Sequence, residues 1–224
     1  MSPSSPLLLQ DRAAAGRRLV EPLRQYAHRP DVIVLALPRG GVPVAYEVAM
    51  ALEVRLDLML VRKLGAPSNE EFALGAIASG GIQILNDHAL RAHPIDQATF
   101  DAVVARENRE LLRREQAYRG TREPVPLKDQ VVILIDDGLA TGASMMAAIQ
   151  AVRLQAPSRI VVAVPVAPIE TVEALRSEVD ELICPVVPDW FMSLGHWYMD
   201  FSQTSDAEVI KLLQRARQRE AGIE

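Results

Sequence analysis

The chain has 224 residues, of which 49% are hydrophobic and 24% are charged, and its formal net charge is −5. This balance is typical of a soluble globular domain, and the acidic excess disfavours a protein that binds nucleic acid through backbone charge. A single cysteine, Cys184, excludes an intramolecular disulfide and a thiolate zinc cluster. The sequence has no run of about 18 apolar residues and no signal-peptide pattern, so we expect a cytoplasmic protein with no membrane partner.

Five short runs of valine, isoleucine and leucine are apolar on both faces, as the buried strands of a parallel sheet are. They are Val32–Leu37, Leu56–Val61, Val131–Ile135, Ile160–Val164 and Leu182–Val187. Helical patterns lie among them at Ala13–Tyr26, Val44–Leu52, Ser144–Leu154 and Thr171–Ser177. The alternation predicts an α/β fold with a central, mostly parallel sheet flanked by helices, in a single domain over residues 1–224. Ligands of such sheets bind at the carboxyl ends of the strands.

The segment 65–130 interrupts this alternation. Its first part, Phe72–Ala78 and Ile82–Leu85 joined by Ser79-Gly80-Gly81, predicts a β-hairpin. A polar helix over roughly 97–118 follows, whose charges we interpret as a solvated face beside a thin apolar stripe of Phe100, Val104 and Leu111. Because long insertions in compact domains are usually functional, we interpret this segment as a flap or a partner surface.

The strongest motif is VVILIDDGLATGAS, at Val131–Ser144, in which a buried strand leads into two carboxylates, a glycine-rich loop and a helix. Gly138 and Gly142 allow successive N–H groups to point into one concavity, and the start of the helix favours an anion there. The hydroxyls of Thr141 and Ser144 can donate to the same anion. Since the loop contains no lysine, it predicts a site for a monophosphate rather than a triphosphate.

Two adjacent carboxylates, Asp136 and Asp137, precede this loop. They can accept hydrogen bonds from the 2- and 3-hydroxyls of a ribose whose 5-phosphate occupies the loop. The alternative is that one carboxylate caps the helix and the other is solvated. The ordered combination of buried strand, acid pair, glycines and hydroxyls favours the ribose interpretation.

The segment IDDGLATGAS resembles the phosphoribosyl pyrophosphate (PRPP) signature of the type I phosphoribosyltransferases. Two further segments are similar to elements of that family. Leu37–Gly41 occupies the place of the pyrophosphate loop, which would use Arg39, Gly40 and Gly41, and Val61–Gly65 is similar to the element that supplies a lysine, here Lys63. More narrowly, PRGGVPVAYEVA, VRKLGAP and DFSQTSD resemble a bacterial group of uncharacterised phosphoribosyltransferases.

The resemblance implies a transferase that joins a nitrogenous base to the ribose 5-phosphate of PRPP and releases pyrophosphate. Asp136, Asp137, Arg39 and Lys63 would carry the chemistry, with Mg²⁺ held mainly by substrate oxygens and water and by no dedicated protein metal site. The residues expected to bind substrate are Gly40, Gly41, Gly138, Leu139, Ala140, Thr141, Gly142, Ala143, Ser144, Trp190 and Phe191. The flap, residues 65–85, would close over the site and exclude water.

The expected base follows from two departures from the family pattern. Members acting on 6-oxopurines have an aspartate where this chain has Ala140, and a lysine where it has the segment around Ala167. Both differences argue against hypoxanthine or guanine. Residues 185–224 form a C-terminal hood in this interpretation, and in it Trp190 and Phe191 either stack on the base or pack in the core.

Other functions remain open at this point. A regulator that binds PRPP or a nucleotide on the same scaffold is the alternative, and turnover of PRPP with a panel of bases separates it from an enzyme. A PRPP-making diphosphotransferase is disfavoured because such chains have tandem domains and an ATP site. A signalling receiver domain is disfavoured because receivers are shorter and carry their acidic pair after an early strand. The resemblance also allows a homodimer.

Overall fold

The computed structural model describes residues 8–66, 69–86, 90–91 and 95–222. Within them the helices include α1 (Arg12–Val20), α2 (Gly41–Leu52), α3 (Gln97–Arg119), α4 (Ala143–Arg153), α5 (Ile169–Arg176) and α6 (Asp206–Glu220), with 3₁₀ turns at Glu21–Tyr26 and Leu194–Trp197. The strands are β1 (Val32–Ala36), β2 (Arg55–Leu58), β3 (Val61–Ala66), β4 (Asn69–Ala78), β5 (Ile82–Leu85), β6 (Val131–Ile135), β7 (Arg159–Ala163) and β8 (Glu181–Ile183).

The central sheet contains five strands in the order β2-β1-β6-β7-β8, and every neighbouring pair is parallel. Alternate residues of β1 enter two cores: Val32 and Val34 pack with α1, α2 and α6, whereas Ile33 and Leu35 pack with α4 and α5. Both faces are therefore buried, which explains why the strands are uniformly apolar. The predicted parallel sheet flanked by helices is confirmed.

The prediction of one strand at Leu56–Val61 is wrong, because this run is divided between two strands, β2 and β3. Strand β2 ends at Leu58, and the Met59 N–H donates to the carbonyl of Ala36 at 2.9 Å as the last bond to β1. After Met59 the chain leaves the central sheet. The next carbonyl, that of Leu60, accepts from the N–H of Ser79 at 2.9 Å, next to the end of β4. The apolar run thus contains the end of one strand and the start of another, and apolarity alone does not mark the junction.

Strands β3, β4 and β5 form a separate antiparallel sheet. Its hairpin confirms the predicted turn, in which Gly80 and Gly81 adopt positive φ angles of 82° and 74°. The flap therefore begins at Val61 rather than at residue 65. Leu64 of β3 is fully buried, so the root of the flap belongs to the core of the protein.

Helix α3 contains more buried surface than its polar sequence predicts. Its stripe includes Leu111 and Tyr118, but Glu107 and Arg119 are also buried, each 6% exposed. The guanidinium of Arg119 bonds the carboxylate of Asp57 at 3.1 Å and the carbonyl of Leu58. The interpretation of all its charges as a solvated face is therefore wrong, since these bonds hold the helix against the end of β2.

The C-terminal segment differs from the prediction in two places. The strand predicted at Leu182–Val187 ends at Ile183, two residues before Pro185, which lacks the N–H that would continue the ladder. The hood region contains helix α6, which the sequence reasoning missed. The Ser205 hydroxyl accepts from the N–H of Glu208 as its N-cap, and Val209 and Leu213 are fully buried.

The topology positions one crevice. Strand β1 lies between β2 and β6 in the sheet. The chain adds β2 on one side of β1, and it later adds β6, β7 and β8 on the other side. Ala36 and Ile135, the last residues of β1 and β6, are paired in register. The loops that leave these two strands diverge from this point, which is where open α/β sheets bind ligands.

Candidate active site at the β1–β6 edge

The loops after β1 and β6 are in close contact. The Leu37 N–H donates to the Ile135 carbonyl at 2.9 Å, and the peptide between Pro38 and Arg39 is cis. A Cβ atom at Gly41 would lie 2.7 Å from the Ile135 carbonyl oxygen and 2.9 Å from the Asp136 Cα. Only glycine permits this approach, so the sequence Arg39-Gly40-Gly41 brings the first loop directly beside the acid pair.

The Asp136 carboxylate is half-buried and lines the crevice together with Leu37, Pro38 and Ser144. Its Oδ1 accepts the N–H of Asp137 at 2.9 Å. Burial, and secondly the neighbouring Asp137 carboxylate, raise the pKa of Asp136 well above its usual value. A bound cation or hydroxyl donor in the crevice would therefore be needed to favour the charged form.

Asp137 lies deeper, and its side chain meets a different partner. Its Oδ2 accepts from the Nε of Arg12 at 2.7 Å, and its backbone carbonyl accepts from the Tyr198 hydroxyl. Burial raises the pKa of Asp137, whereas the Arg12 guanidinium acts to lower it. The two adjacent carboxylates thus have different surroundings: Asp136 borders the crevice, and Asp137 forms a largely buried ion pair.

Arg12 connects three parts of the chain. Besides Asp137, it donates from Nη1 to the Ser202 carbonyl at 2.5 Å, and its guanidinium lies 4.1 Å from the centre of the Phe201 ring. The rings of Phe201 and Tyr198 lie 4.9 Å apart, and both residues pack in the core of the protein. The sequence reasoning missed Arg12, whose partner Asp137 is 125 residues away.

The loop from Gly138 to Ser144 is held by hydrogen bonds to the segment after β7 and to helix α5. The Leu139 N–H donates to the Val166 carbonyl at 2.9 Å, and the Thr171 hydroxyl donates to the Ala140 carbonyl at 2.6 Å. These bonds fix the loop in front of α4 while Thr141 and Ser144 remain exposed. The first-turn N–H groups of a helix lack intrahelical partners, so the start of α4 can bind an anion.

The two glycines of this loop are required by their surroundings. Gly138 has φ 149°, and a Cβ there would lie 2.4 Å from the Cδ2 of Leu194. Gly142, the N-cap of α4, has φ 71°, and a Cβ there would lie 2.7 Å from the Cγ2 of Thr171. Ala143 follows as the first residue of α4. The loop therefore adopts the glycine-dependent path that its sequence predicts.

The two cations predicted to bind the diphosphate, Arg39 and Lys63, form no bond with Asp136 or Asp137 among those described. The Arg39 Nη1 lies 3.6 Å from the Oδ1 of Asp206 at the start of α6, an ion pair open to solvent. Lys63 is exposed on β3 rather than at the end of a central strand, and it borders the same cleft as Pro38 and Ser144. That cleft also contains Arg62, Arg106 and Arg114, none of which the sequence reasoning placed there.

The hood presents one aromatic side chain to solvent. Trp190 is 83% exposed, so the core interpretation is wrong for this residue, and Phe191 is half-buried. Cys184 is also half-buried, and burial raises the pKa of its thiol to about 11. That value agrees with a packing role for Cys184 and leaves the thiol protonated at neutral pH.

Among the described residues, no group of three or more His, Cys, Asp and Glu side chains could hold a metal ion. The carboxylate of Asp136 is an oxygen donor of the kind that Mg²⁺ prefers, and it faces the crevice. These residues fit a magnesium ion that is carried mainly by substrate oxygens and water. Within the same residues, no helix is long and apolar enough to span a membrane.

Comparison with known proteins agrees with this geometry. The family model of the phosphoribosyl transferase domain matches residues 8–201. A Mycobacterium tuberculosis H37Rv protein named "Putative phosphoribosyl transferase Rv0571c" is 43% identical over 209 residues, which are 93% of this chain and 47% of that protein. The chain thus spans about half the length of the curated relatives it matches.

Solved structures show the same fold. The crystal structure of TT1426 from Thermus thermophilus is 44% identical, with a TM-score of 0.82 over 93% of this chain and 98% of that one. The AQ2163 protein from Aquifex aeolicus, 12% identical, has a TM-score of 0.51 over 82% of this chain and 78% of its own, and shares the fold alone. From its sequence match, its relatives and its fold, the chain belongs to the phosphoribosyl transferase domain family.

Proposed function

We propose that the protein transfers the ribose 5-phosphate of PRPP to a nitrogenous base and releases pyrophosphate. The observation that carries this proposal is the contact between two loops at the β1–β6 edge, where a half-buried carboxylate borders a glycine-rich anion loop. Asp136 supplies the carboxylate, and the segment Gly138–Ser144 supplies two hydroxyls and the start of α4, whose first-turn N–H groups lack intrahelical partners. A phosphate next to a carboxylate is the arrangement that a ribose 5-phosphate requires.

In this proposal the 5-phosphate binds the start of α4, through the hydroxyls of Thr141 and Ser144 and backbone N–H groups. The Asp136 carboxylate accepts from the ribose hydroxyls. Asp137 lies beneath it and adds negative potential under the positive charge that develops on the ribose as pyrophosphate leaves. The Arg12 ion pair keeps Asp137 in that position.

Cations around the crevice bind the other end of the substrate. Lys63 and Arg39 bind the diphosphate, for which Arg39 would exchange its solvent-exposed pair with Asp206. Asp136 would contact a Mg²⁺ ion held mainly by substrate oxygens and water, and the ion would supply positive charge that stabilises the leaving group. The residues of the chain orient the substrate, and the flap excludes water that would otherwise hydrolyse PRPP.

The base would bind near the hood, where Trp190 and Phe191 offer aromatic surface. Ala140 is exposed on the anion loop and Ala167 is buried, and neither side chain can form a hydrogen bond with a base. Recognition would therefore use backbone groups, and we expect modest selectivity with no strong preference for 6-oxopurines.

The test is pyrophosphate release from PRPP with Mg²⁺ and adenine, guanine, hypoxanthine, uracil or orotate, each at equal concentration. The proposal expects release that depends on an added base. Release that is independent of every base would indicate hydrolysis, and PRPP binding without release would favour the regulatory alternative. Selective, efficient use of hypoxanthine or guanine would contradict the interpretation of Ala140 and Ala167.

A further inference from the structure

The cleft that borders the proposed diphosphate position carries more positive charge than the two expected cations supply. Among the residues whose side chains the structure describes, four basic ones line it, Arg62, Lys63, Arg106 and Arg114, together with the acidic Glu107. Pro38 and Ser144, from the two loops of the crevice, line the same cleft. We call this surface the cationic cleft.

A buried carboxylate orients one side of the cationic cleft. Glu107 is 6% exposed, and its Oε2 accepts from Arg62 at 2.9 Å from Nε and 2.6 Å from Nη2. Its Oε1 accepts from the Nε of Arg106 at 2.9 Å. One carboxylate thus holds the guanidinium groups of Arg62 and Arg106 beside the cleft. Guanidinium groups held in this way are suited to binding phosphate oxygens.

Arg114 comes from the same face of α3, two turns after Glu107. Its Nε donates to the Oε1 of Glu110 at 2.8 Å, and its side chain is 28% exposed. It borders both the cationic cleft and the crevice that contains Asp136. Arg113 offers a natural comparison, since it donates to both oxygens of Glu110, at 2.8 and 3.0 Å, but is 58% exposed and does not line the cleft.

We propose that Arg114 is a further binding residue for the diphosphate group, beside Arg62 and Lys63 of β3, so that helix α3 completes the polyanion end of the site. This inference rests on the proposed function and extends it to a helix that the sequence predicts to be a solvated face. The cations of the cationic cleft exceed what a single phosphate needs, whereas a diphosphate offers several oxygens to separate guanidinium groups.

The experiment measures dissociation constants of inorganic pyrophosphate with Mg²⁺, and of ribose 5-phosphate, by titration calorimetry for the wild type, Arg114→Gln and Arg113→Gln. Arg114→Gln loses one bond to Glu110 and Arg113→Gln loses two, so an effect that acts only through Glu110 should be at least as large in the control. We expect Arg114→Gln to weaken pyrophosphate binding about tenfold or more and Arg113→Gln to change it by less than about twofold. Ribose 5-phosphate binding should stay within about twofold in both.

A second measurement tests whether Arg114 acts on pyrophosphate through its charge rather than through the shape of the site. The dependence of pyrophosphate affinity on salt concentration should be shallower in Arg114→Gln than in the wild type, because one cation fewer faces the ligand. Equal pyrophosphate affinities in the two variants would overturn the inference, as would an equal loss of ribose 5-phosphate binding. If Asp136→Asn weakens PRPP binding while Arg114→Gln leaves pyrophosphate binding intact, only the role of Arg114 is contradicted. If the wild type binds neither PRPP nor pyrophosphate, both the role of Arg114 and the proposed function are contradicted.

Discussion

The Oδ2 atom of Asp137 occupies the space that a side chain at Gly40 would need, since a Cβ there would lie 2.0 Å from that oxygen. The first loop therefore sits directly on the buried carboxylate of the second. This contact joins the expected pyrophosphate loop to the expected ribose site. It is possible only because residue 40 is a glycine and has no Cβ atom.

Gly40→Ala should displace either the loop or Asp137 and weaken PRPP binding by about tenfold or more, because the oxygen belongs to a buried ion pair that cannot simply move aside. Gly195→Ala is the control, since a Cβ at Gly195 meets only a Phe201 ring carbon at 3.5 Å. Calorimetric titration of PRPP checks both. Normal PRPP affinity in Gly40→Ala would show that this contact does not matter to the site.

Asp136→Asn should increase the stability of the protein at neutral pH while it decreases PRPP affinity. The raised pKa means that the native carboxyl holds its proton more tightly than the unfolded chain does, so the wild type loses stability as pH rises from about 4 through the native pKa. The amide keeps an oxygen for the Asp137 N–H and has no charge to bury. PRPP binding should weaken by about 1.5–3 kcal/mol, the range for a hydrogen bond to a charged group.

Urea unfolding between about pH 5 and pH 8 measures the first effect. The stability advantage of Asp136→Asn over the wild type should grow with pH. An advantage that is absent or independent of pH would mean that Asp136 is not destabilised by its charge in the native protein.

Arg12→Met should destabilise the protein by roughly 3 kcal/mol at pH 8, because it leaves the buried Asp137 carboxylate without its cation. The pKa of Asp137 should rise further in this variant, so the loss should shrink as the pH falls and the carboxyl becomes protonated. Arg17→Met, on the same helix, removes only an exposed pair with Glu47 at 3.4 Å and should cost less than about 1 kcal/mol. Thermal and urea unfolding at two pH values distinguish these results; an equal cost in both variants would refute the account of Arg12.

Trp190→Ala should change the free energy of unfolding by less than about 0.5 kcal/mol, because the side chain is 83% exposed. If Trp190 stacks on the base, the variant should weaken base binding to the PRPP-loaded protein by about 1–3 kcal/mol. Met192→Ala, 70% exposed in the same segment, is the control. Unchanged base binding in Trp190→Ala would exclude the stacking role.

Local patterns predict much of this fold. The apolar runs of β1, β6 and β7 are buried on both faces and match the structure closely, and the glycine turn of the β4–β5 hairpin occurs where Gly80 and Gly81 predict it. The acid pair and its loop are local in sequence, so their order alone places them after a strand and before a helix. Such features are encoded within about ten residues, where periodicity and turn chemistry are informative.

The features that the sequence did not predict depend on distant contacts. Where the chain leaves the central sheet after β2, the carbonyl of Leu60 bonds the N–H of Ser79, which is distant in sequence. The buried carboxylate of Glu107 is paired with Arg62, 45 residues away. Arg12 resembles any surface arginine of a helix until the fold brings it to Asp137. Helix α6 is different, because its Ser205 cap and its spaced apolar residues were readable in the sequence.

The central claim is that the β1–β6 edge binds PRPP through its acid pair, and one titration tests it most directly. PRPP with Mg²⁺ should bind the wild type. Asp136→Asn should weaken it by about tenfold or more through a lost bond to the ribose hydroxyls, and Asp137→Asn should weaken it by a similar factor through the lost negative charge beneath the ribose. The matched control is Asp31→Asn, which alters an exposed carboxylate just before β1, at the opposite end of that strand, and should leave the affinity unchanged. PRPP affinity that is unchanged in both acid-pair variants, or absent in the wild type, would contradict the account.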